Sequence, residues 1–274
     1  MITILYAGNY KVFDGLVISV LSLVKHTKEP VNIKCLTMDL TELNPKFKPI
    51  TEDCASYVRK ILKDKNPESD FELIDLKDEF NKDLINSVNI KNHFTPYAML
   101  RLLADKVDLP DKYIYLDTDT IVNRDLSILY NQDIEDYELG VVRDAYRLNR
   151  RYFNSGVMLV NHKKCLETGL YEKARYIVIN EKLLYTDQTA LNKSCKKRKM
   201  LPLIFNAKDK YYKDIVVHHF CNVRKRSNWF HRIKPWEVEL VKQKMSAYDD
   251  ILDDFVQRKN SPEWPLKAAV EVSK

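Results

Sequence analysis

The sequence predicts an α/β protein: a single domain with a mostly parallel central sheet flanked by helices. Three observations predict this class. Apolar strand patterns alternate with helical patterns in the first half of the chain, which is typical of parallel sheets. A strongly apolar strand near residue 115 runs into polar residues at its carboxyl end, where open α/β sheets bind ligands. The 274 residues, 45% hydrophobic and 31% charged, are sufficient for a sizeable core.

The predicted strands are short apolar runs bounded by polar residues. In chain order they cover residues 3–7, 31–40, 71–76, 113–116, 139–142, 156–160 and 215–220. Elsewhere apolar residues recur every three or four positions, which predicts helices over residues 13–26, 97–106 and 170–180 and in the segment after Pro49. Thr51, followed by two acidic residues, is the expected N-cap of the helix after Pro49.

Composition excludes several kinds of site. The five cysteines are scattered without a Cys-x-x-Cys pair, so we expect neither a disulfide framework nor a thiolate zinc site, and a reducing cytoplasm fits best. The five glycines build neither a Gly-x-Gly-x-x-Gly nor a phosphate-loop motif. We expect no signal peptide, because no basic leader precedes the apolar residues at the N-terminus, and no transmembrane helix, because the longest apolar stretch, residues 16–24, is too short to span a bilayer.

Charge is unevenly distributed along the chain. The formal net charge is +6, and dense basic clusters lie at residues 193–199 and 224–226. Anionic partners are compatible with these clusters, although each cluster by itself is typical of a solvated basic face.

Asp117 and Asp119 form the most informative motif, an Asp-x-Asp that follows the apolar run ending at Leu116. Alternate residues of a strand point to the same face, so the two carboxylates lie together if strand geometry persists through them. Together they offer hard oxygen ligands for a divalent cation. Short acidic pairs also end strands and cap turns, so the spacing alone leaves both interpretations open.

Two later segments carry small polar side chains before regular elements. Asn154 and Ser155 precede an apolar strand, and they offer an amide and a hydroxyl to a polyol or form a polar turn. Thr186 or Asp187 is a candidate N-cap for the helix that follows.

Histidines and basic residues mark the last third. His218 and His219 are neighbours on a predicted strand, so at most one of them faces the carboxylates. Residues 224–236 combine basic and aromatic side chains, which suits a phosphate contact or a solvated loop anchored by Trp236.

In their shared order, these motifs resemble glycosyltransferase family 8, the retaining enzymes that include glycogenin and bacterial lipopolysaccharide galactosyl- and glucosyltransferases. The matching segments are residues 4–7, 97–101, 115–122, 154–161, 187–188, 219–220 and 234–236. The resemblance implies a GT-A type nucleotide-sugar-binding domain.

The resemblance also implies roles for individual residues. Asp117, Asp119 and His219 are similar to the family's metal ligands, and their mixed oxygen and nitrogen set suits Mn²⁺, with Mg²⁺ as the alternative. The residues similar to those that bind the nucleotide sugar are Ala7, Gly8, Asn9, Arg101, Asp117, Thr118, Asp119, Asn154, Ser155, Asp187, Gln188, His219 and Lys234. Gln188 and Asp187 are similar to the catalytic residues. An amide is a poor nucleophile, so we expect Gln188 to position substrate and stabilise charge.

This chain departs from the family pattern in two places. Asn9 stands where many members have an aspartate, which keeps an acceptor but removes a charge near the nucleotide. The spacing from His219 to Lys234 is longer than usual, which implies an inserted basic loop and makes Lys225 the alternative contact for the diphosphate. Asp144 is a candidate residue on the acceptor side.

The hypothesis is a metal-dependent, retaining glycosyltransferase that moves glucose or galactose from a UDP-hexose donor to a saccharide or glycolipid acceptor, as in lipopolysaccharide biosynthesis. It is expected in the cytoplasm or at the inner face of the membrane, with at most peripheral membrane association. No nucleic-acid partner is expected. Residues 1–245 are assigned to the catalytic domain. Residues 246–274 are assigned to a C-terminal helical tail, because apolar residues from Tyr248 to Val256 recur with a helical period.

Two other functions remain as alternatives. A nucleotidyltransferase or phosphoesterase would use the same carboxylates, but it requires a further acidic ligand and a water-activating base. A nucleic-acid-binding module would use the basic clusters with aromatic side chains such as Tyr211 and Trp229.

Overall fold

A computed structural model describes residues 1–92, 96–144, 149, 151–208, 211–221, 223–225, 228–230 and 233–267. Within them the strands are β1 Ile2–Ala7, β2 Val31–Thr37, β3 Asp70–Asp75, β4 Lys112–Leu116, β5 Thr120–Val122, β6 Leu139–Arg143, β7 Phe153–Asn161, β8 Arg198–Leu201, β9 Val217–His219, β10 Val223–Lys225 and β11 Asn228–Phe230. The α-helices are α1 Phe13–His26, α2 Glu52–Lys65, α3 Lys77–Asp83, α4 Ser127–Tyr130, α5 His162–Thr168, α6 Leu170–Asn180, α7 Thr186–Ser194, α8 Val238–Lys244 and α9 Asp249–Lys259. Segments of 3-10 helix are Tyr10–Val12, Pro96–Lys106, Leu203–Phe205, Ser246–Tyr248 and Pro265–Lys267.

Seven strands form the central sheet, in the order β3-β2-β1-β4-β7-β6-β8. Strands β3, β2, β1 and β4 are parallel, and β7 runs antiparallel to both of its neighbours. Because β8 is parallel to β6, β7 is the single reversed strand of this sheet. The predicted α/β class with a mostly parallel sheet is therefore confirmed.

Apolar side chains cover both faces of the sheet. On one face, α1, α2 and α9 pack over a core that includes Phe13, Val58 and Phe255. On the other, α6, α7 and the 3-10 helix Pro96–Lys106 pack over a core that includes Tyr97, Leu103 and Ala174. Burial on both faces explains the nearly continuous apolar runs of the parallel strands.

Several predicted elements differ from the observed ones. Residues 97–106 lie in a 3-10 helix and not an α-helix; every residue from Pro96 to Ala104 except Ala98 is buried, so the burial pattern does not distinguish the two helix types. The strand predicted at 31–40 ends at Thr37, and the strand predicted at 156–160 begins earlier, at Phe153. Thr51 is the N-cap of α2, as predicted, and its hydroxyl accepts a hydrogen bond from the Cys54 amide.

Two small antiparallel sheets lie outside the central one. Strand β5 pairs with β9, with Thr120 opposite His219, and β10 pairs with β11. The first pairing brings residues a hundred positions apart to the carboxyl end of β4.

The C-terminal residues pack against the amino-terminal half of the chain. Trp264 is buried between Phe13, Tyr57 and Phe255, with ring centroids 5.3, 5.4 and 5.8 Å away. Helix α9 belongs to the same core as α1. The division between residues 1–245 and 246–274 stays a prediction.

None of the helices in the described ranges combines the length and the apolar character that crossing a bilayer requires.

Candidate functional site

The backbone around the carboxyl end of β4 brings three candidate ligands together. Strand β4 ends at Leu116, and the Asp117 amide donates to the carbonyl of Gly156 on β7 (2.7 Å). The following turn leads into β5, where the amide of Phe220 donates to the carbonyl of Asp119 (2.9 Å). Strand geometry does not persist through Asp117 and Asp119, because the chain turns at these residues, so the condition for strand alternation is not met. Their carboxylates nevertheless converge on His219.

A chain of buried hydroxyl groups holds the Asp117–Asp119 turn in place. Thr120 Oγ1 donates to the Asp117 carbonyl (2.8 Å) and lies 3.0 Å from Ser19 Oγ, which lies 2.9 Å from Tyr6 Oη. These bonds tie the turn to α1 and β1.

In each candidate ligand, one polar atom is bound by a neighbour and the other faces the centre. Asp117 Oδ1 accepts from Arg101 Nη2 (2.7 Å) and Tyr115 Oη (3.0 Å), which leaves Oδ2 facing His219. Asp119 Oδ2 accepts from Lys234 Nζ (2.6 Å), which leaves Oδ1. Nε2 of His219 lies 3.2 Å from Asp119 Oδ1 and 3.5 Å from Asp117 Oδ2.

The charges around this centre keep both carboxylates ionised. Burial opposes ionisation of Asp117, but the Arg101 guanidinium holds the pKa of that carboxyl below its usual value. For Asp119, Lys234 and His219 overcome burial and hold the pKa well below its usual range. Burial would lower the pKa of His219, yet Cys221 and the carboxylates raise it. The two carboxylates therefore stabilise positive charge between them, from a proton or from a cation.

The three free atoms fit a divalent cation. Asp117, Asp119 and His219 each offer one ligand atom, and these atoms lie within 4.8 Å of one another. Nε2 of His219 is buried, and among the described residues no group aligns with it in a hydrogen bond. Two carboxylate oxygens and an imidazole nitrogen suit Mn²⁺ or Mg²⁺ and leave coordination positions for ligand oxygens.

A second cluster of predicted residues lies beside these three. Arg101 is buried between two acids: its Nη2 binds Asp117, and its Nε lies 3.2 Å from Asp187 Oδ2. Burial raises the pKa of Asp187, although Arg101 opposes that effect. Ser155 Oγ lies 3.2 Å from Arg101 Nη1 and 3.4 Å from Asp187 Oδ2.

Helix α7 places Gln188 in the same cluster. Gln188 Oε1 accepts from Asn154 Nδ2 (2.9 Å) and from the Ser155 amide (3.2 Å). Neither Thr186 nor Asp187 caps α7: the N-cap is Tyr185, and the Asp187 side chain turns instead toward Arg101 and Ser155. The capping interpretation is wrong for both residues: Thr186 Oγ1 donates to Asp187 Oδ1 (3.1 Å), and Asp187 pairs with the buried guanidinium of Arg101.

The end of β1 lies at the same edge. A Cβ added at Gly8 would come 3.8 Å from Thr118 Cγ2, so the β1 terminus and the Asp117–Asp119 turn are neighbours. Ala7 ends β1, and Asn9 is buried, with no partner for its Nδ2 among the described residues.

The remaining candidates are partly described. Lys234 contacts Asp119, whereas the side chain of the alternative, Lys225, lies outside the described residues, as do residues 226, 227, 231 and 232 of the basic loop. Asp144 lies 3.3 Å from Lys208. His218 turns away from the carboxylates, and its Nδ1 lies 2.6 Å from Tyr248 Oη.

Sequence reasoning missed three contributors to the site. Tyr115 binds Asp117, and Arg101 stacks 4.2 Å above its ring. Gly156 lies so close to the centre that an added Cβ would come 2.0 Å from His219 Cε1. Asn206 Oδ1 lies 3.1 Å from Nδ1 of His219. Tyr115 and Gly156 lie in segments that match the family pattern, so the sequence contained a signal for both. No spacing rule points to Asn206.

Comparison with known proteins places the chain in a family. Residues 1–239 match the model of glycosyl transferase family 8. A putative glycosyltransferase of Haemophilus influenzae is 28% identical over 282 residues, which cover 91% of this chain and 79% of that protein. The matched region of this chain spans only 29% of glycosyltransferase GlyF of Streptococcus pneumoniae, with 29% identity over 116 residues.

Solved structures share the fold. An active-site mutant of LgtC superposes with a TM-score of 0.69 at 18% identity, covering 92% of this chain and 96% of that one. The galactosyltransferase LgtC with donor and acceptor sugar analogues gives a TM-score of 0.62 at 19% identity, with the same coverage. With a family match that covers most of its length and a GT-A type fold, this chain is a member of glycosyltransferase family 8.

Proposed function

We propose that this glycosyltransferase is a metal-dependent, retaining hexosyltransferase that moves glucose or galactose from a UDP-sugar to a saccharide or glycolipid acceptor. The observation that carries the proposal is the convergence of Asp117 Oδ2, Asp119 Oδ1 and His219 Nε2, each held by a partner on its other polar atom. Such an arrangement suits a cation that binds a diphosphate.

Asp117, Asp119 and His219 would hold Mn²⁺ or Mg²⁺. When bound, the ion supplies Lewis-acid stabilisation of the negative charge on the departing UDP. Lys234 Nζ lies 2.6 Å from Asp119 Oδ2, beside the proposed metal site. Burial opposes its positive charge, but Asp119 raises the pKa of Lys234, so the charge is maintained. We assign Lys234 to the diphosphate.

Asn154, Ser155, Asp187, Gln188 and Arg101 are assigned to the donor sugar. Two donors already occupy Gln188 Oε1, from Asn154 and the Ser155 amide, and they reduce its ability to act as a nucleophile. Retention is therefore assigned to attack by the acceptor hydroxyl on the face that UDP leaves. In this mechanism Gln188 and Asp187 position the sugar and stabilise developing charge.

Ala7, Gly8, Asn9 and Thr118 are assigned to the nucleoside, because they lie at the sheet edge beside the carboxylates. The comparison with LgtC, whose structure holds donor and acceptor sugar analogues, supports galactose as a donor sugar to test first. We place the reaction in the cytoplasm or at the inner face of the membrane, where a glycolipid acceptor such as a lipopolysaccharide precursor would be available.

The test measures UDP release with UDP-glucose and UDP-galactose in Mn²⁺, in Mg²⁺ and in a chelator. We expect release with one of the two donors, loss of release in the chelator, and a product with the donor's anomeric configuration by NMR. Asp119→Asn, which keeps the side-chain volume but removes the charge, should lower release about 100-fold. The control is Asp125→Asn, because Asp125 lies in a turn where it accepts from the Ser127 amide.

Two results would contradict the proposal. Release of inorganic phosphate or pyrophosphate in place of UDP would favour the phosphoesterase or nucleotidyltransferase alternative. Equal activity of Asp119→Asn and the parent protein would remove the metal from the mechanism.

A further inference from the structure

Asn206 connects the two halves of the candidate site. It follows the 3-10 helix Leu203–Phe205 and is almost completely buried. Its Oδ1 lies 3.1 Å from Nδ1 of His219, and its Nδ2 donates to Oδ1 of Asn154 (3.0 Å). Asn206 therefore lies between a candidate metal ligand and a candidate sugar ligand without being either.

The polarity of this hydrogen-bond chain is determined at one end. A backbone N–H can only donate, and the Gly156 amide donates to Asn154 Oδ1 (3.1 Å). Since Asn154 Oδ1 is thereby an acceptor, the Asn206 group that faces it must be the NH₂. The carbonyl Oδ1 of Asn206 must then face His219, where it can only accept.

A second amide confirms this orientation. The Ser155 N–H donates to Gln188 Oε1 (3.2 Å), so the Asn154 group that also meets this oxygen must be its NH₂. Asn154 is thus oriented independently at both of its polar atoms, which removes the usual ambiguity between amide oxygen and nitrogen.

We propose that Asn206 is a positioning residue that keeps the proton of neutral His219 on Nδ1, so that the lone pair of Nε2 points at Asp117 and Asp119. The predicted effect of Asn206 on metal affinity rests on the proposed function, whereas its predicted effect on the tautomer of His219 does not. A ligating histidine is oriented by the partner of its other nitrogen, and removal of such a partner typically weakens metal binding about 10–100-fold.

The backbone holds Asn206 in place for this role. The amide of Asn206 donates to Leu203 O (3.1 Å), and the next residue, Ala207, exchanges hydrogen bonds with β9 at Val217 O (3.0 Å) and the His219 amide (2.7 Å). The segment that carries Asn206 is therefore fastened to the strand that carries His219, and their relative position is set by main-chain bonds.

Two substitutions separate the two contacts of Asn206. Asn206→Leu has a similar volume but neither an acceptor nor a donor, so we expect Mn²⁺ affinity, measured by calorimetry, to fall about 10–100-fold. Asn206→Asp keeps an acceptor for His219 but loses the donor to Asn154. We expect its Mn²⁺ affinity to stay within about 3-fold of the parent, while kcat for transfer falls about 10-fold because Asn154 and Gln188 lose their orientation.

The matched control is Asn89→Leu. Asn89 is also a buried amide with three hydrogen bonds, to the backbone of Val178, Glu181 and Leu183. Asn89→Leu should lower the melting temperature and leave Mn²⁺ affinity unchanged. If Asn206 had only a structural role, Asn206→Leu would give the same result.

The tautomer is read directly by ¹H–¹⁵N NMR of the imidazole in metal-free parent protein, at a pH high enough for the ring to be neutral. A proton on Nδ1 in the parent and a mixture of tautomers in Asn206→Leu support the proposal. A proton on Nε2 in the parent overturns it, as does an unchanged tautomer in Asn206→Leu. Full Mn²⁺ affinity in Asn206→Leu also overturns it.

If the parent protein binds no Mn²⁺, the metal-dependent function fails, and the NMR comparison alone decides the role of Asn206. If Asn206→Leu does not fold, the parent spectrum together with Asn206→Asp decides it: equal losses of Mn²⁺ affinity and kcat in Asn206→Asp would overturn the separation of the two contacts.

Discussion

At the scale of single residues, the site depends on side chains that make two different contacts. Asp117 binds Arg101 and Tyr115 through one oxygen and faces His219 with the other. Asp119 likewise binds Lys234 through Oδ2 and faces His219 with Oδ1. Because one atom of each carboxylate is bound, its other atom is held in a defined direction, and the cost of ordering it is met during folding and not during binding.

Gly156→Ala tests how closely the site is packed. An added Cβ would come 2.0 Å from His219 Cε1 and 2.6 Å from Asp117 Oδ2, so both side chains must move. We expect Mn²⁺ affinity to fall about 100-fold by calorimetry. The control is Gly140→Ala in β6, where a Cβ would come 3.0 Å from Ile134 and 3.1 Å from Leu201, away from the carboxylates. An unchanged affinity in Gly156→Ala would show that the described packing is wrong.

Arg101→Lys tests the buried guanidinium. Lysine keeps the charge but cannot reach Asp117, Ser155 and Ala98 together, as Arg101 does. We expect the free energy of unfolding to fall about 2 kcal/mol in urea titrations, with loss of UDP release. The control is Arg175→Lys, which removes an equally buried guanidinium that binds both carboxylate oxygens of Asp105. This variant should lose stability but retain UDP release. Equal activities of the two variants would contradict a role for Arg101 in the site.

At the scale of elements, short and irregular segments do most of the positioning. The turn between β4 and β5 presents Asp117 and Asp119, and the pairing of β5 with β9 presents His219. Helix α1 passes close by: a Cβ at Gly15 would come 2.6 Å from Trp236 and 2.7 Å from the Thr118 carbonyl. This close approach anchors the segment that carries Lys234 beside the carboxylates.

Trp264→Ala tests whether the C-terminal segment is part of the folded core. The indole packs against rings from α1, α2 and α9, and truncating a buried aromatic side chain typically costs about 3–5 kcal/mol. We expect a loss of this size in the free energy of unfolding. Tyr176→Ala is the control, since Tyr176 is 71% exposed, and should change stability by less than about 0.5 kcal/mol. A neutral Trp264→Ala would contradict the packing of this indole into the folded core.

At the scale of the whole molecule, the site joins distant parts of the chain. Residues from β1, the segment 96–106, β4, β7, α7, β9 and the segment around 234 meet at one edge of the sheet. A ligand that binds there contacts only the folded state, so its binding free energy adds to the stability of the entire domain.

Mn²⁺ together with UDP should therefore raise the melting temperature. At 100 times the dissociation constant, binding contributes about 2.7 kcal/mol, which corresponds to a shift of about 5 °C for a chain of this size. A chelator should reverse the shift, and Asp117→Asn should abolish it. A shift that survives in the chelator would show that UDP binds without the metal.

Much of this architecture could be predicted from the sequence, because it depends on local patterns. Helices α1 and α6 begin and end where apolar periodicity predicted, since burial of one face sets both the period and the length. The family resemblance is likewise confirmed, because it rests on ordered local motifs. The 3-10 geometry of residues 96–106 was not predictable, because an α-helix and a 3-10 helix bury nearly the same residues and packing decides between them.

The Asp-x-Asp motif and its position after a central strand follow from the order of residues, and the choice of His219 as their partner follows from the family resemblance. What required the folded chain is the pairing of β5 with β9 and the contact between Asn206 and His219. Strand alternation would have placed the two carboxylates on one face, whereas a turn, supported by Thr120 and Gly156, directs them at the histidine. The physical reason is that side-chain identity is local, but the direction of each polar atom depends on partners that only long-range packing brings within hydrogen-bonding distance.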